Sequence, residues 1–545
     1  MNTNLSEIAD VLQMTSRLME LHDGNQFKIK GLAAAAFKLS KLHIAAEDFT
    51  EEGIAKQGGV GKSVAKTVLE ISQKGSSAEL DELMEKTPRG VIEMMNVKGL
   101  GPKKVKQLWH ELEIESVGEL LYACNENRLV SLKGFGEKTQ QAVIASIEFL
   151  QGAAGKVHYA TVEELADNLI EDLKELPYIS NISLTGDIYR KSQILEKIDI
   201  LISSDEPVES EFESPVPINL ITVSEEDFYY ELVKTSSTKE HLEKINFGAL
   251  SPPSFKEGTK GWSSEEDVYK ALNKPYFIPE WREGLFEEKI MDRYPENLIE
   301  EKHLKGVLHN HSTYSDGANT LEEMASYCKQ LGYEYFGIAD HSKSATYAGG
   351  LTEEEIIKQH KEIDVLNKEM APFKILKGTE CDILFDGSMD YSNDVLKTFD
   401  YVVASIHQHF KMDEEKATSR LIKAIENPYT TILGHPTGRL LLARPGYPIN
   451  HKKVIDACAA NNVIIELNAH HYRLDIDWAW IPYCMEKGVK ISINPDAHEK
   501  QGFHEMHFGV CVARKGLLTK DFCFNALSLE EMKKFLSEKT PREGL

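Results

Sequence analysis

The feature that most constrains this chain lies after residue 302. Fourteen of the nineteen histidines fall there, most of them at the ends of short apolar runs. The runs are GVLHNHSTYSDG (306–317), YFGIADHS (335–342), ILKGTECDI (375–383), VVASIHQHF (402–410), TTILGHPTGR (430–439), VIIELNAHH (463–471) and KISINPDAHE (490–499). Each has strand character and closes on a residue able to bind a metal. Between them lie helix-periodic segments such as LEEMASYCKQLG (321–332), ATSRLIKAIEN (417–427) and HKKVIDACAANN (451–462). Strand and helix therefore alternate, which predicts a (β/α) barrel with its chemistry at the C-terminal ends of the strands.

In an extended strand residues i and i+2 share a face, so His309 and His311 can aim at one ion, as can Asp496 and His498. Asp316, His341, Glu380, His407 and His435 bring the candidate metal ligands to nine. That is too many for one tetrahedral ion and enough for a cluster of two or three divalent ions, Mn²⁺ or Zn²⁺. Glu380, a carboxylate in mid-sequence, is the expected bridge. His409, His470, His471, His504 and His507 stand outside this set.

The succession H-x-H, SDG, ADH, GTE, IHQH, GHP and PDAH resembles the polymerase-and-histidinol-phosphatase (PHP) family from residue 303 to the end of the chain. The resemblance implies a PHP (β/α)7-type barrel over 303–545 in which all nine ligand positions are occupied. Such a cluster attracts phosphate oxygens and lowers the pKa of bound water, so metal-assisted phosphoester hydrolysis is the expected reaction. Catalytic roles are expected for Glu380, His309, His311 and Asp496. Arg439 and Arg444, in GRLLLARPGY, are expected to contact substrate phosphate, and Asn468 with Glu466 to orient ligands or substrate.

A net charge of −25 opposes diffuse attraction to nucleic acid, so any DNA contact must be local. The first 150 residues supply one. Three G-h-G turns recur between short helices, in GGVGKSVAKTVLEI (58–71), VKGLGPKKVKQLWHEL (97–112) and LKGFGEKTQQAVIASI (132–147). Glycine permits a left-handed turn, and backbone N–H groups at the next helix N-terminus can hold a DNA phosphate without reading a base. The segments resemble helix-hairpin-helix motifs, which makes Gly99, Gly101, Lys103, Gly134 and Gly136 the expected DNA contacts.

Between these regions, residues 151–300 carry expected strands at 181–189, 196–204, 217–224 and 234–241. Their order resembles the nucleotidyltransferase-like palm and thumb of a family X DNA polymerase. That family uses a Gly-Ser clamp, a D-x-D pair, a third Asp and a T-G-S-x-x-H segment. Here the matching positions read Gly186 with Asp187, Lys197 with Asp199, Asn219, and Thr235 to Ser237 with His241. Two of three metal carboxylates are missing and Lys197 puts a positive charge where a cation would bind, so the palm is expected to be degenerate.

The whole chain thus resembles a multidomain α and α/β protein of the bacterial family X polymerase type. Its expected divisions are helix-hairpin-helix domains at 1–150, a palm and thumb at 151–300, and the PHP domain at 303–545, with PYFIPEWREGLFEEKIMDRYPENLIEEK (275–302) as linker. The resemblance implies a metal-dependent 3′-to-5′ exonuclease, or an enzyme of abasic-site and 3′-end processing, acting on gapped, nicked or single-stranded DNA ends. An active gap-filling polymerase, a small-molecule PHP phosphatase and a noncatalytic scaffold are the rival readings. Seven cysteines without a C-x-x-C pair predict no disulfide partner and a reducing compartment, and no apolar run is long enough for a membrane span, so a cytoplasmic location is expected.

Overall fold

The computed structural model describes residues 5–39, 49–58, 60–130, 132–152, 155–204, 208, 212–253 and 261–539. The chain divides into two compact units, Met1–Cys124 with Leu129–Glu148, and Asn125–Arg128 with Phe149–Leu545.

The first unit is helical, with an apolar core that includes Ile8, Leu12, Leu32, Ala65, Val68 and Ile71. Two of the three expected hairpins have one and the same turn. Leu100 N–H donates to Val97 O at 3.1 Å, and Phe135 N–H to Leu132 O at 3.0 Å. The third residue of each turn is glycine in the left-handed region, Gly99 at φ +89° and Gly134 at φ +90°, as a type II turn requires. Gly101 then caps the helix Pro102–Glu111, and Gly136 precedes Glu137–Gly152. In the remaining hairpin Gly61 caps Lys62–Lys74, while Gly59 lies outside the described residues.

The second unit opens with a small mixed sheet. Strand β1 (Ile179–Thr185) runs antiparallel to β2 (Ile198–Ser204), which is parallel to β3 (Ile218–Val223). The central strand is apolar and buried, as its flanked position demands. The strand expected at 234–241 is helical instead: Phe228–Thr235 ends there, and Thr238 accepts from His241 N–H to start Lys239–Lys244. A side-chain cap outweighed the β-branched composition.

Residues 275–302 are not an exposed linker. Phe277, Trp281, Ile290 and Ile299 are buried in them, and Arg282 is fully buried against Glu265 at 2.5 Å. Phe277, Trp281 and Ile290 share a core with Leu517, so these residues are continuous with the C-terminal region.

The barrel strands are β4 (Gly306–Val307), β5 (Tyr335–Gly337), β6 (Lys374–Leu376, resuming as Gly378–Asp382), β7 (Tyr401–Ser405), β8 (Ile432–Leu433), β9 (Ile464–Asn468) and β10 (Ile491–Asn494). All neighbours pair in parallel. A parallel bridge from Asn310 to Ala497 joins the ends of β4 and β10, and another from His341 to Glu380 joins β5 to β6, which closes the expected seven-stranded barrel.

Tyr335 and Tyr401 fill the barrel. Glycine makes room for them: a Cβ on Gly306 would come within 2.1 Å of the Tyr335 ring, and one on Gly378 within 2.3 Å of Tyr401. Tyr401 Oη donates to Ile338 O at 2.9 Å and accepts from His309 N–H at 3.3 Å, so this interior ring anchors the first ligand loop.

Candidate metal centre

Apart from Glu380, which lies on β6, the expected ligands stand just beyond the strands rather than on them. β4 ends at Val307, and His309 has φ +57°; β10 ends at Asn494, and Asp496 has φ +54°. Non-glycine residues in this region cost about 1 to 3 kcal/mol and persist where the surroundings hold them. The backbone differs from the extended strand expected at these positions: a left-handed turn, not a shared strand face, aims His309 and Asp496 inward.

All nine expected ligands converge. Glu380 lies at the middle, its Oε1 3.2 Å from His309 Nε2, 3.0 Å from His407 Nε2 and 2.9 Å from His435 Nε2, its Oε2 3.1 Å from His341 Nδ1 and 3.7 Å from His311 Nε2. Asp496 Oδ1 is 3.1 Å from His311 Nε2 and 3.5 Å from His309 Nε2. Asp316 faces His498 Nε2 at 3.4 Å and His341 Nε2 at 3.5 Å. Several overlapping trios among them have ligand atoms spaced to share one ion.

Buried polar atoms normally have hydrogen-bond partners. Here His309 Nε2, His311 Nδ1, both ring nitrogens of His341, Glu380 Oε2, Asp316 Oδ2 and His498 Nε2 are buried with none. Lone-pair-bearing atoms turned toward one another out of solvent are what cations between them would satisfy, and this donor set of imidazoles and carboxylates fits divalent metal ions. Without metal, protons meet part of that demand. Burial disfavours the charged form of His407, yet Glu380 and Asp382 raise its pKa to about 10; Asp316 does the same for His498, also to about 10. Burial and the neighbouring His498 and His341 push His311 down to about 4. Burial opposes the Glu380 carboxylate, but His407, His309 and His341 hold it well below the usual range.

A second layer orients the ligands. Glu466 Oε1 lies 2.6 Å from His309 Nδ1, and its Oε2 accepts His435 N–H at 2.7 Å; Asp382 Oδ1 lies 2.6 Å from His407 Nδ1. These carboxylates fix tautomer and ring orientation. Asp382, not singled out in the sequence, was accessible there, because it stands two residues beyond Glu380 on one strand face. Asp340 was also missed. It accepts from Ser312, Ser315 and Gln359 beneath the first ligand loop, and burial raises its pKa to about 6.

The expected substrate contacts are placed differently. Asn468 is buried and donates to Asp496 Oδ2 at 3.0 Å, so it orients a ligand. The Arg439 guanidinium is engaged by Arg473 O at 2.9 Å, Asp477 at 2.6 Å and Leu474 O, which holds a loop together. Arg444 lies over the Phe410 ring at 4.1 Å and donates to Gly438 O at 2.9 Å. Arg473 was not foreseen; its Nε is 3.7 Å from Asp496 Oδ2, at the edge of the cluster.

In the smaller sheet, Asp199 and Asn219 are paired across β2 and β3. Asp199 Oδ1 takes Lys197 Nζ at 2.8 Å and Asn219 Nδ2 at 2.7 Å. Asp187 pairs with Arg190, and His241 is fully buried between Glu287 at 2.7 Å and the Tyr269 hydroxyl at 2.9 Å. Elsewhere Lys103 is 78% exposed, with Glu20 at 3.9 Å, and Gly99, Gly101, Gly134 and Gly136 all face open space where a Cβ would stand. All seven cysteines are buried and unbridged. No helix among the described residues is long and apolar enough to cross a membrane.

A seven-stranded parallel barrel with a His-rich cluster of potential metal ligands at its strand ends defines a PHP-type domain, and residues 308–470 match the PHP domain model. Residues 91–148 match the SAM-like helix-hairpin-helix tandem. Along 97% of its length the chain is 32% identical to the DNA polymerase/3′-5′ exonuclease PolX of Bacillus subtilis, covering 99% of that protein. The chain belongs to this family. Its barrel portion is also similar to a probable phosphatase of a Thermoanaerobacter species, 28% identical over 43% of this chain and 96% of that protein, and to one of Clostridium novyi, 27% identical over 35% of this chain and 78% of that protein.

Proposed function

We propose that this chain is a metal-dependent DNA phosphodiesterase, a 3′-to-5′ exonuclease or 3′-end-processing enzyme of DNA repair, whose polymerase-like palm no longer polymerises. The observation that carries the proposal is the set of unsatisfied buried nitrogens and oxygens gathered around Glu380. His309, His311, Asp316, His341, Glu380, His407, His435, Asp496 and His498 would hold two or three Mn²⁺ or Zn²⁺ ions. When bound, these supply Lewis acidity for a phosphate oxygen and a hydroxide nucleophile near neutral pH.

The chain's own residues do the rest. Glu466 and Asp382 keep the His309 and His407 rings turned inward, and Asn468 holds Asp496. The Asp496 and His309 turns, strained but fixed by the barrel, preorganise the site before substrate arrives. The hairpin glycines and Lys103 supply backbone-phosphate contacts that read no sequence, which suits gapped, nicked or 3′ single-stranded ends.

The rival reading as an active polymerase draws on the name of the B. subtilis relative. Against it stands Asp199, whose Oδ1 is already engaged by an ammonium and an amide, with Lys197 and Asn219 standing where the family's other two metal carboxylates would be. The phosphatase reading accounts for the barrel but not for the hairpin tandem. Purified protein with Mn²⁺ on a 5′-labelled gapped duplex, with and without dNTPs, beside histidinol phosphate, separates the three. Shortening of the labelled strand without extension is expected; dNTP-dependent extension or preferential release of phosphate from histidinol phosphate would overturn the proposal.

A further inference from the structure

A second group of metal-binding side chains lies apart from the nine ligands. His507 and Cys511 are four residues apart on the helix Met506–Lys515 and so share one face. His507 Nε2 is 3.7 Å from Cys511 Sγ and 2.8 Å from Oε1 of Glu163, on the helix Tyr159–Lys174. In the main cluster the spacings between such atoms include 2.9 Å, His435 to Glu380, and 3.8 Å, His311 to Asp316. Both contacts of His507 Nε2 fall at comparable distances.

Its surroundings are those of a supported ligand set. His507 Nδ1 faces Glu301 Oε1 at 2.6 Å, the carboxylate–histidine arrangement that turns the other ring nitrogen toward a metal. Tyr159 Oη donates to Glu163 Oε1 at 2.8 Å and steadies the carboxylate. Lys191 Nζ donates to Cys511 Sγ at 3.4 Å, a bond that a ligating sulfur can keep. A carboxylate oxygen and a sulfur thus both approach one imidazole nitrogen. A proton on Nε2 satisfies one of its two contacts at a time, whereas a metal ion satisfies all three.

We infer that His507, Cys511 and Glu163 form a second metal site, for a thiophilic divalent ion of the Zn²⁺ class. Sulfur, imidazole nitrogen and carboxylate are its ordinary ligands, and three protein ligands leave a fourth position for water. His507 is 34% exposed, so that position faces solvent and the ion exchanges. Glu163 precedes the small mixed sheet while His507 and Cys511 follow the barrel strands, so the ion ties the polymerase-like segment to the PHP segment. Nothing assigned to the main cluster depends on it.

Cobalt distinguishes the two sites, because thiolate-to-Co²⁺ charge transfer absorbs in the near ultraviolet and none of the nine main-cluster ligands is sulfur. Full-length protein titrated with Co²⁺ should develop this band, Zn²⁺ should bleach it, and Cys511→Ser should abolish it while hydrolysis of a small phosphodiester with Mn²⁺ is retained. His507→Gln should weaken Co²⁺ binding at this site at least tenfold with the fold intact by circular dichroism. Absence of the band when cobalt fills the main cluster, or an identical band in Cys511→Ser, would overturn the assignment and leave an imidazolium bridging two carboxylates.

Discussion

Glu466 Oε1 lies 2.6 Å from His309 Nδ1, and the same carboxylate accepts the backbone N–H of His435 through its other oxygen. One residue outside the ligand set therefore sets two ligands, one by its ring and one by its backbone. Glu466→Gln preserves size and one acceptor but removes the charge that keeps His309 Nε2 basic. Metal affinity should fall about 10- to 100-fold. The Mn²⁺ concentration for half-maximal nuclease rate should rise accordingly, with an unchanged circular dichroism spectrum. An unaltered Mn²⁺ dependence would remove Glu466 from this role.

Glu380 has five histidines around its two oxygens. Glu380→Gln removes the charge that holds neighbouring cations together, so metal content and exonuclease rate should fall together, the rate by about a hundredfold or more. Its core neighbours, such as Cys381 and Val403, are untouched, and the barrel should stay folded. Wild-type metal stoichiometry by mass spectrometry, with a wild-type rate on a single-stranded 3′ end, would show that the bridge lies elsewhere.

How much of this was legible in the sequence depended on the kind of signal. Barrel strands, and the side chains that converge at their ends, were readable because each apolar run is buried on both faces and carries a residue of ligand type at or near its end. The same runs could not report where the strand stops: β4 is only Gly306–Val307, and the approach of His309 is set by a left-handed turn and by the Tyr401 hydroxyl from another strand. The setting of the arginines was hidden for a related reason. Arg439 is basic and near the site in sequence, but Asp477 and two carbonyls engage it, and those partners come together only in the folded chain. Residues 275–302 looked like a linker because they are acidic and proline-bearing; their Phe277, Trp281 and Ile299 carry the burial.

In the palm, Lys197 and Asn219 both engage Asp199 Oδ1. Templated extension should be absent at any Mg²⁺ or Mn²⁺ concentration. The measurement belongs in a His309→Ala, His311→Ala variant, where nuclease activity cannot erase a product. Primer extension in that background would show that Asp199 still supports polymerisation.

The hairpins should act through charge and backbone rather than base contacts. Lys103 and Lys138 follow the two glycine turns at matching places on the helices Pro102–Glu111 and Glu137–Gly152. Lys103→Glu with Lys138→Glu should weaken binding to unrelated DNA sequences equally and reduce the slope of log affinity against log salt by about 2. Hydrolysis of a small phosphodiester should not change. An unchanged slope would mean that DNA does not lie along these turns.

Acid stability offers a test at a residue outside both proposed ligand sets. His158 is buried, with Nε2 3.2 Å from Leu441 O and its ring edge-on to Tyr472 at 4.6 Å. Burial, and then the neighbouring His471, lower its pKa to about 3. Between that value and the ordinary 6.5, the unfolded chain binds a proton here that the folded chain refuses, so stability falls as pH drops through this window. Relative to pH 7.5, the loss at pH 5 is about 2 kcal/mol from this residue alone. His158→Gln keeps a donor for Leu441 O and cannot titrate. Whatever the substitution costs at pH 7.5, its stability deficit relative to wild type should shrink by about that amount at pH 5, read from denaturant midpoints at the two pH values. A deficit of equal size at both would show that His158 takes up its proton in the folded protein as readily as in the unfolded one.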